Sequence, residues 1–412
     1  MNNVKAEIGQ SLSGRYKLFV IDQQEQVVSE LPWQKNLILN QGMDQIPTIL
    51  YADVMSYGFV GTGTRTNNIS SGNSSGSVAS SVFTLVTGST GLQNLTSSNS
   101  GHSSALSVGD MIKFNDLSEV RVLAVSGISA SITPTSTISV QPFTIYKTSQ
   151  TGLQSLVHST NNMFVGNSDG TYCGTTIVGN VQKNKRTWDF VYETASIVFT
   201  EVGVGSGTSN ANVFSRVLLP QTQSILAGQK LRLMYELDIA VYPTGSSPGY
   251  PATASVSGWP VSPSTDTGFF YNLQLGGPTI GWVSVVDDTG GSDGRVCEPA
   301  ATTMGAFVST NSQSCANYNS GVNREINGVS YAADTFTQDA YVPLSFTAYK
   351  TATFAVANAN VNNIRCIGVG SSFNGHQGFY CGFACVFNQP QTKSNIQTLS
   401  LTYVWNWGRT LS

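Results

Sequence analysis

The side chains able to do chemistry are few and scattered. The chain has three histidines, His102, His158 and His376, and six cysteines. Soft metal donors come together only in NGHQGFYCGFACVFN, which holds His376, Cys381 and Cys385. Imidazole nitrogen and thiolate sulfur are zinc donors. The H-x-x-x-x-C-x-x-x-C spacing is not that of a zinc finger, however, and a fourth ligand would have to come from Cys366 or elsewhere. Buried thiols in a β core are the simpler reading. A Cys–His nucleophile pair is available there by residue type alone. The turn VVDDTGGSDG offers Asp287, Asp288 and Asp293 as oxygen donors for calcium, but it lacks EF-hand spacing and a closing Glu, so an Asx-rich turn is expected. Glu193, Glu201, Glu236 and Asp238 are acid–base candidates for a polysaccharide hydrolase, which needs two carboxylates about 5–10 Å apart. Nothing in the spacing sets such a pair; Glu236 and Asp238 read as neighbours on the polar face of a strand. The glycine-rich stretches at 61–67 and 203–210 lack the Lys-Ser/Thr of a phosphate loop and lie among strands. His102, in a Ser/Gly loop, and His158, after an apolar pair, invite no special role. No catalytic residue, metal or cofactor is therefore expected.

The elements that must position these residues read as strands. Alternating, β-branched or aromatic runs recur at 16–21, 120–125, 196–204, 230–242, 348–356 and 396–407, bounded by Gly, Asn, Ser or Asp. In 230–242, Leu231, Leu233, Tyr235, Leu237, Ile239 and Val241 alternate with mostly polar residues, the pattern of a half-buried antiparallel strand. KLRLMYEL there resembles TLSLTYVW near the end, which suggests two adjacent strands. One short helix is expected near 37–51, limited by Pro47. Closely spaced strands at 111–114, 120–125, 129–132 and 143–146 suggest a small inserted β-barrel.

The expected fold is mainly β, an antiparallel β-sandwich core with a small inserted β-barrel and a further β-rich domain. Residues 1–83 begin the main domain, 84–150 form the insertion, and 151–245 complete the sandwich. Residues 246–395 form an additional Cys-containing domain, and 396–412 return as a strand to the main sheet.

Composition narrows the function. The chain has 412 residues, of which 10% are charged, with a net charge of −3. Ordinary soluble proteins carry roughly 25% charged residues. Ser, Thr, Asn and Gly replace them, which suits a surface covered by neighbouring molecules, or a secreted β protein. No basic cluster adequate for nucleic acid is present; Lys183, Lys185 and Arg186 read as a solvated strand entry. No run of 18 apolar residues suggests a membrane span. The opening MNNVKAEIGQSLSGRY lacks the apolar core of a signal peptide, so synthesis in a cytoplasm without standard export is expected.

An ordered set of short motifs adds to this. WQKNLILNQGMDQI precedes YGFVGTGTRTN, and IVFTEVGVGSG, NVFSRVLL, QKLRLMYELDI and SLTYVWNWGR follow. The order resembles structural proteins of tailed-bacteriophage virions, of the tail, fibre or neck type. The matching residues are Asn36, Leu37, Ile38, Asn40, Gly42, Gly61, Thr62, Gly63, Glu201, Gly203, Gly205, Phe214, Ser215 and Arg216. The resemblance covers 15–150, 160–242 and the last strand. It implies a virion component, assembled in the host cytoplasm as a cyclic homo-oligomer in contact with other virion proteins. A capsid decoration or neck/collar position is an alternative. So is a receptor-binding module, in which 243–395 meets a host glycan or protein through Trp259, Tyr271 and Trp282. A polysaccharide-degrading enzyme is the remaining class.

Overall fold

The structure is a computed structural model that describes residues 2–49, 53–70, 83–87, 93–97, 106–115, 119–126, 129–132, 143–164, 172–178, 181–242, 252–253, 256–257, 267–270, 305–310, 330–372 and 379–410. Along the chain run β1 (Asn2–Ile21), β2 (Val27–Lys35), β3 (Leu37–Ile38), α1 (Asn40–Gln45) and β4 (Tyr57–Gly61). Then come β5 (Asn68–Ser70), β6 (Phe83–Thr87), β7 (Gln93–Ser97), β8 (Met111–Phe114), β9 (Glu119–Ser126), β10 (Ser129–Ile132) and β11 (Phe143–Tyr146). They are followed by β12 (Leu156–Thr160), β13 (Gly174–Val178), β14 (Val181–Asp189), β15 (Ile197–Gly205), β16 (Val213–Ile225) and β17 (Lys230–Tyr242). The last third holds β18 (Ala252–Thr253), β19 (Val256–Ser257), β20 (Thr267–Phe270), β21 (Gly305–Ser309), β22 (Ser330–Ala332) and β23 (Thr335–Gln338). It closes with β24 (Thr347–Phe354), β25 (Ile364–Ser372), β26 (Phe379–Gln391) and β27 (Leu399–Arg409). The protein is mainly β.

Among the described residues the main sheet runs β13-β14-β17-β1-β27-β24-β23, with β2 and β19 also paired to β1. Its centre is β1, antiparallel to β17 over Gly9–Ile21 and parallel to β27 over Asn2–Leu12. One face of this sheet builds the core: Leu12, Tyr16 and Leu18 from β1, Leu231, Leu233, Tyr235 and Leu237 from β17, and Leu399, Leu401, Tyr403 and Trp405 from β27. Every one of these is nearly or wholly buried, and burial of such a side chain contributes about 1.5–3 kcal/mol. Two further sheets join the same core. The five-stranded sheet β12-β4-β15-β16-β3 brings Val60, Val202, Val204 and Phe214, and the six-stranded sheet β18-β20-β26-β25-β21-β22 brings Ala306, Val308, Ile364, Ile367 and Val369.

The described residues between 68 and 146 form a separate sheet, β5-β11-β8-β9-β10-β7-β6, with its own core around Ile112, Phe114, Val120, Val122, Ile132 and Ile145. It leaves the main body after β4 and returns before β12.

Four expectations are corrected by this pairing. The core is not purely antiparallel, because β27 adds to β1 in parallel. The two similar strands β17 and β27 are not adjacent: each flanks β1 on one side. The insertion begins at β5, before the boundary expected at residue 84, because β5 pairs with β11. Within 246–395, β23 and β24 extend the main sheet beyond β27, so that segment is not one self-contained unit. In each case the partner strand lies far away in sequence, and local alternation does not specify it.

Candidate functional site

The motif residues converge on one buried ion pair. Glu201 lies on β15 and Arg216 on β16, and both side chains are fully buried. Arg216 Nη2 donates to Glu201 Oε2 at 2.7 Å and to the carbonyl of Arg65 at 3.0 Å, while Nη1 donates to Gln150 Oε1. Glu201 Oε1 accepts from the backbone N–H of Gly63 at 3.0 Å and of Ser155 at 2.9 Å. Burial pushes the Arg216 guanidinium below its ordinary range, and Glu201 opposes that shift. The glycines of the GTG turn are needed for space. A Cβ on Gly63 would lie 2.4 Å from Glu201 Oε1, and one on Gly61 would lie 2.5 Å from the carbonyl of Ser155. The pair thus ties the strand leaving for the insertion, and the strand returning from it, to one hairpin. Its carboxylate is consumed by this task.

A second polar group spans the main sheet. Glu236 on β17 takes Arg15 of β1 at 2.5 Å and Lys183 of β14 at 3.7 Å, and Lys183 also reaches Asp238 at 3.2 Å. Burial raises the Asp238 carboxyl above its usual range; the Lys183 bond opposes this and the charge of Glu236 adds to it. Glu236 and Asp238 therefore share one lysine in a cross-strand ladder. On the same face Arg232 and Lys230 both bind Asp189 and Glu25, at 2.5–3.3 Å. The polar face of β17 is accordingly not solvated as its alternation suggested. Arg232 and Glu236 are buried there, each with a partner.

A third group joins the insertion to the main body. Asp44 Oδ1 on α1 accepts from Tyr341 Oη at 2.5 Å and from Leu344 N at 2.8 Å. Leu344 (φ 64°) and Phe346 (φ 52°) occupy the left-handed region, which is rare for bulky residues. The Phe346 ring lies between Arg121 of β9 and Arg409 of β27, 5.4 and 5.2 Å from its centroid. Arg121 also donates to the carbonyl of Leu344. Arg409 donates to the carbonyl of Ile38 at 2.9 Å and to Asn40 Oδ1 at 2.7 Å.

Beside this junction lies a cavity of about 450 Å³, between the main sheet and the neck of the insertion. Gly14, Trp33, Lys35, Asn67, Tyr146 and Arg409 are among its lining residues.

Of the sequence candidates, Glu201 is neutralised by Arg216, and Glu236 and Asp238 stand in the ladder. Glu193 is 4.0 Å from half-exposed His158 in a surface pair. Lys183, Lys185 and Arg186 do lie on a strand, β14, and Arg186 is buried, donating to the carbonyl of Met55. His102, His376, Asp287, Asp288, Asp293, Trp259, Tyr271 and Trp282 lie outside the described residues, and so do the side chains of Cys381 and Cys385 within β26. Cys173 donates to the carbonyl of Phe164, and burial pushes its thiol up. Among the described residues no three His, Cys, Asp or Glu side chains are grouped to hold a metal, and no helix is long and apolar enough to cross a membrane. Sequence reasoning missed Asp44, Arg121, Tyr341 and Arg409 altogether. Comparison with family models, curated proteins and solved structures found no match.

Proposed function

We propose that the chain is a structural component of a tailed-phage particle, of the tail, fibre or baseplate type, that assembles with copies of itself and with other virion proteins. The observation that supports this best is the convergence of the motif residues. Gly61, Gly63, Glu201 and Arg216 meet in one buried network whose effect is to fix an inserted domain onto a β-sandwich. A motif set of that kind preserves an architecture and requires no substrate. The distribution of charge supports the same reading. Arg15, Lys17, Lys113, Lys147, Lys183, Lys230 and Arg232 all close on carboxylates of the same chain. The Ser-, Thr- and Asn-rich surface that remains can be covered by a neighbour without stranding a charge.

Light scattering on the purified chain across a wide concentration range tests the assembly role. A closed oligomer of defined stoichiometry is expected, as symmetric virion parts form. A chain that stays monomeric at every concentration and binds no other particle protein contradicts it.

A further inference from the structure

The segment joining β23 to β24 carries backbone strain that neither the sheet pairing nor the assembly role requires. Val342, Pro343, Leu344 and Ser345 make a tight turn, closed by Ser345 N donating to the carbonyl of Val342 at 3.1 Å. Leu344 is third in that turn, at φ 64°, and Phe346 just beyond it has φ 52°. A turn with positive φ at its third position ordinarily takes Gly. Bulky residues stay in that region only where the surroundings hold them.

Three elements supply the hold. Asp44 Oδ1 on α1 accepts from both Tyr341 Oη and Leu344 N. The Tyr341 ring stacks on Trp407 of β27, with centroids 5.8 Å apart, and Trp407 N donates to the carbonyl of Phe346 at 3.0 Å. From the insertion, Arg121 on β9 donates to the carbonyl of Leu344 and lies over the Phe346 ring. Val342 at the tip is 66% exposed, so core packing does not pin the turn. Each strained residue shifts the balance toward release by roughly tenfold, and each clip opposes it by a similar factor. Opposed factors of like size give a segment two accessible positions.

We propose that residues 341–346 are a two-position latch, closed here, that clips β9 of the insertion to α1 and β27 through Arg121. It opens by letting Leu344 and Phe346 return to ordinary backbone angles. Opening leaves the neck at Glu201 and Arg216 intact, so the insertion stays attached while this hold on it is released. The latch does not depend on the assembly proposed above.

Hydrogen exchange at the Trp407 amide of the full chain tests this, because its acceptor is the Phe346 carbonyl, which moves away when the latch opens. Arg121→Gln should speed that exchange about tenfold, the worth of one charge-assisted hydrogen bond. Leu344→Gly should slow it about threefold, since glycine takes the left-handed angle freely and the closed form loses strain. Lys113→Gln, on β8 of the insertion, should leave it unchanged. Exchange indifferent to Arg121→Gln, or sped equally by Lys113→Gln, overturns the link to the insertion. Exchange in Leu344→Gly as fast as in the native chain, or faster, overturns the two-position reading.

Discussion

At the scale of single residues, the chain invests its scarce charge in places where removing it is costly. Glu201→Gln keeps the shape of the side chain but leaves Arg216 buried without a countercharge. The expected cost is about 3–5 kcal/mol, read as a large drop in the thermal midpoint. Adding Arg216→Met to that variant recovers much of the loss, because a buried pair replaced by apolar side chains is often close to neutral. An unchanged midpoint for the single variant contradicts the assigned role. Lys350 is a different case. It is buried near the rings of Phe336 and Trp405, and burial lowers its ammonium from 10.5 to about 8. Between those values the unfolded chain binds more protons than the native one, so stability rises with pH through that window, and the cost is fully present below it. Lys350→Met should therefore stabilise the protein near neutral pH by on the order of 2 kcal/mol, with the gain fading between about pH 8 and 10.5 and gone above that window. Melting curves of both proteins across that range check the sign. Glu201 and Arg216 were visible in the sequence as motif members, but their neutralising each other was not. That depends on the register of β15 with β16, which shifts between Phe199 and Glu201. Asp44 is separated by hundreds of residues from Tyr341 and Arg409, and no local pattern relates them.

At the scale of elements, alternation was a good guide wherever a strand has one apolar face. The strands at β8, β10, β11 and β17 fall where the alternation puts them. The helix was expected within 37–51 and is α1, ending before Pro47. The first half of β1 was missed although Val4, Ala6 and Ile8 alternate with Lys5 and Glu7; the run is short, and its partner, the parallel strand β27, lies at the far end of the chain. Gly42 illustrates how an element's neighbours override its propensity. In a helix, Gly→Ala ordinarily stabilises by about 0.5–1 kcal/mol. Here the added Cβ would lie 2.2 Å from the carbonyl oxygen of Phe214 and 2.7 Å from its Cα. Backbone atoms cannot rotate away, so Gly42→Ala should instead destabilise by about 1–3 kcal/mol. A raised melting temperature for this variant would falsify the close packing of α1 on β16.

At the scale of the whole molecule, β1 and β27 bring the two ends of the described chain into the centre of one sheet, and the 68–146 sheet projects from that body on a neck fixed by Glu201 and Arg216. This arrangement suits a part that holds a projecting domain in a fixed direction within a larger assembly. Under the proposed assembly role, a chain with only 10% charged residues meets neighbours rather than water over much of its surface. The most direct test of that claim is image reconstruction of particles produced by the genome that encodes this chain. The account predicts symmetry-related copies of this β body, insertion included, in the tail or at its attachment to the head. Tailed particles complete without the chain, or a chain found only free of them, would contradict it.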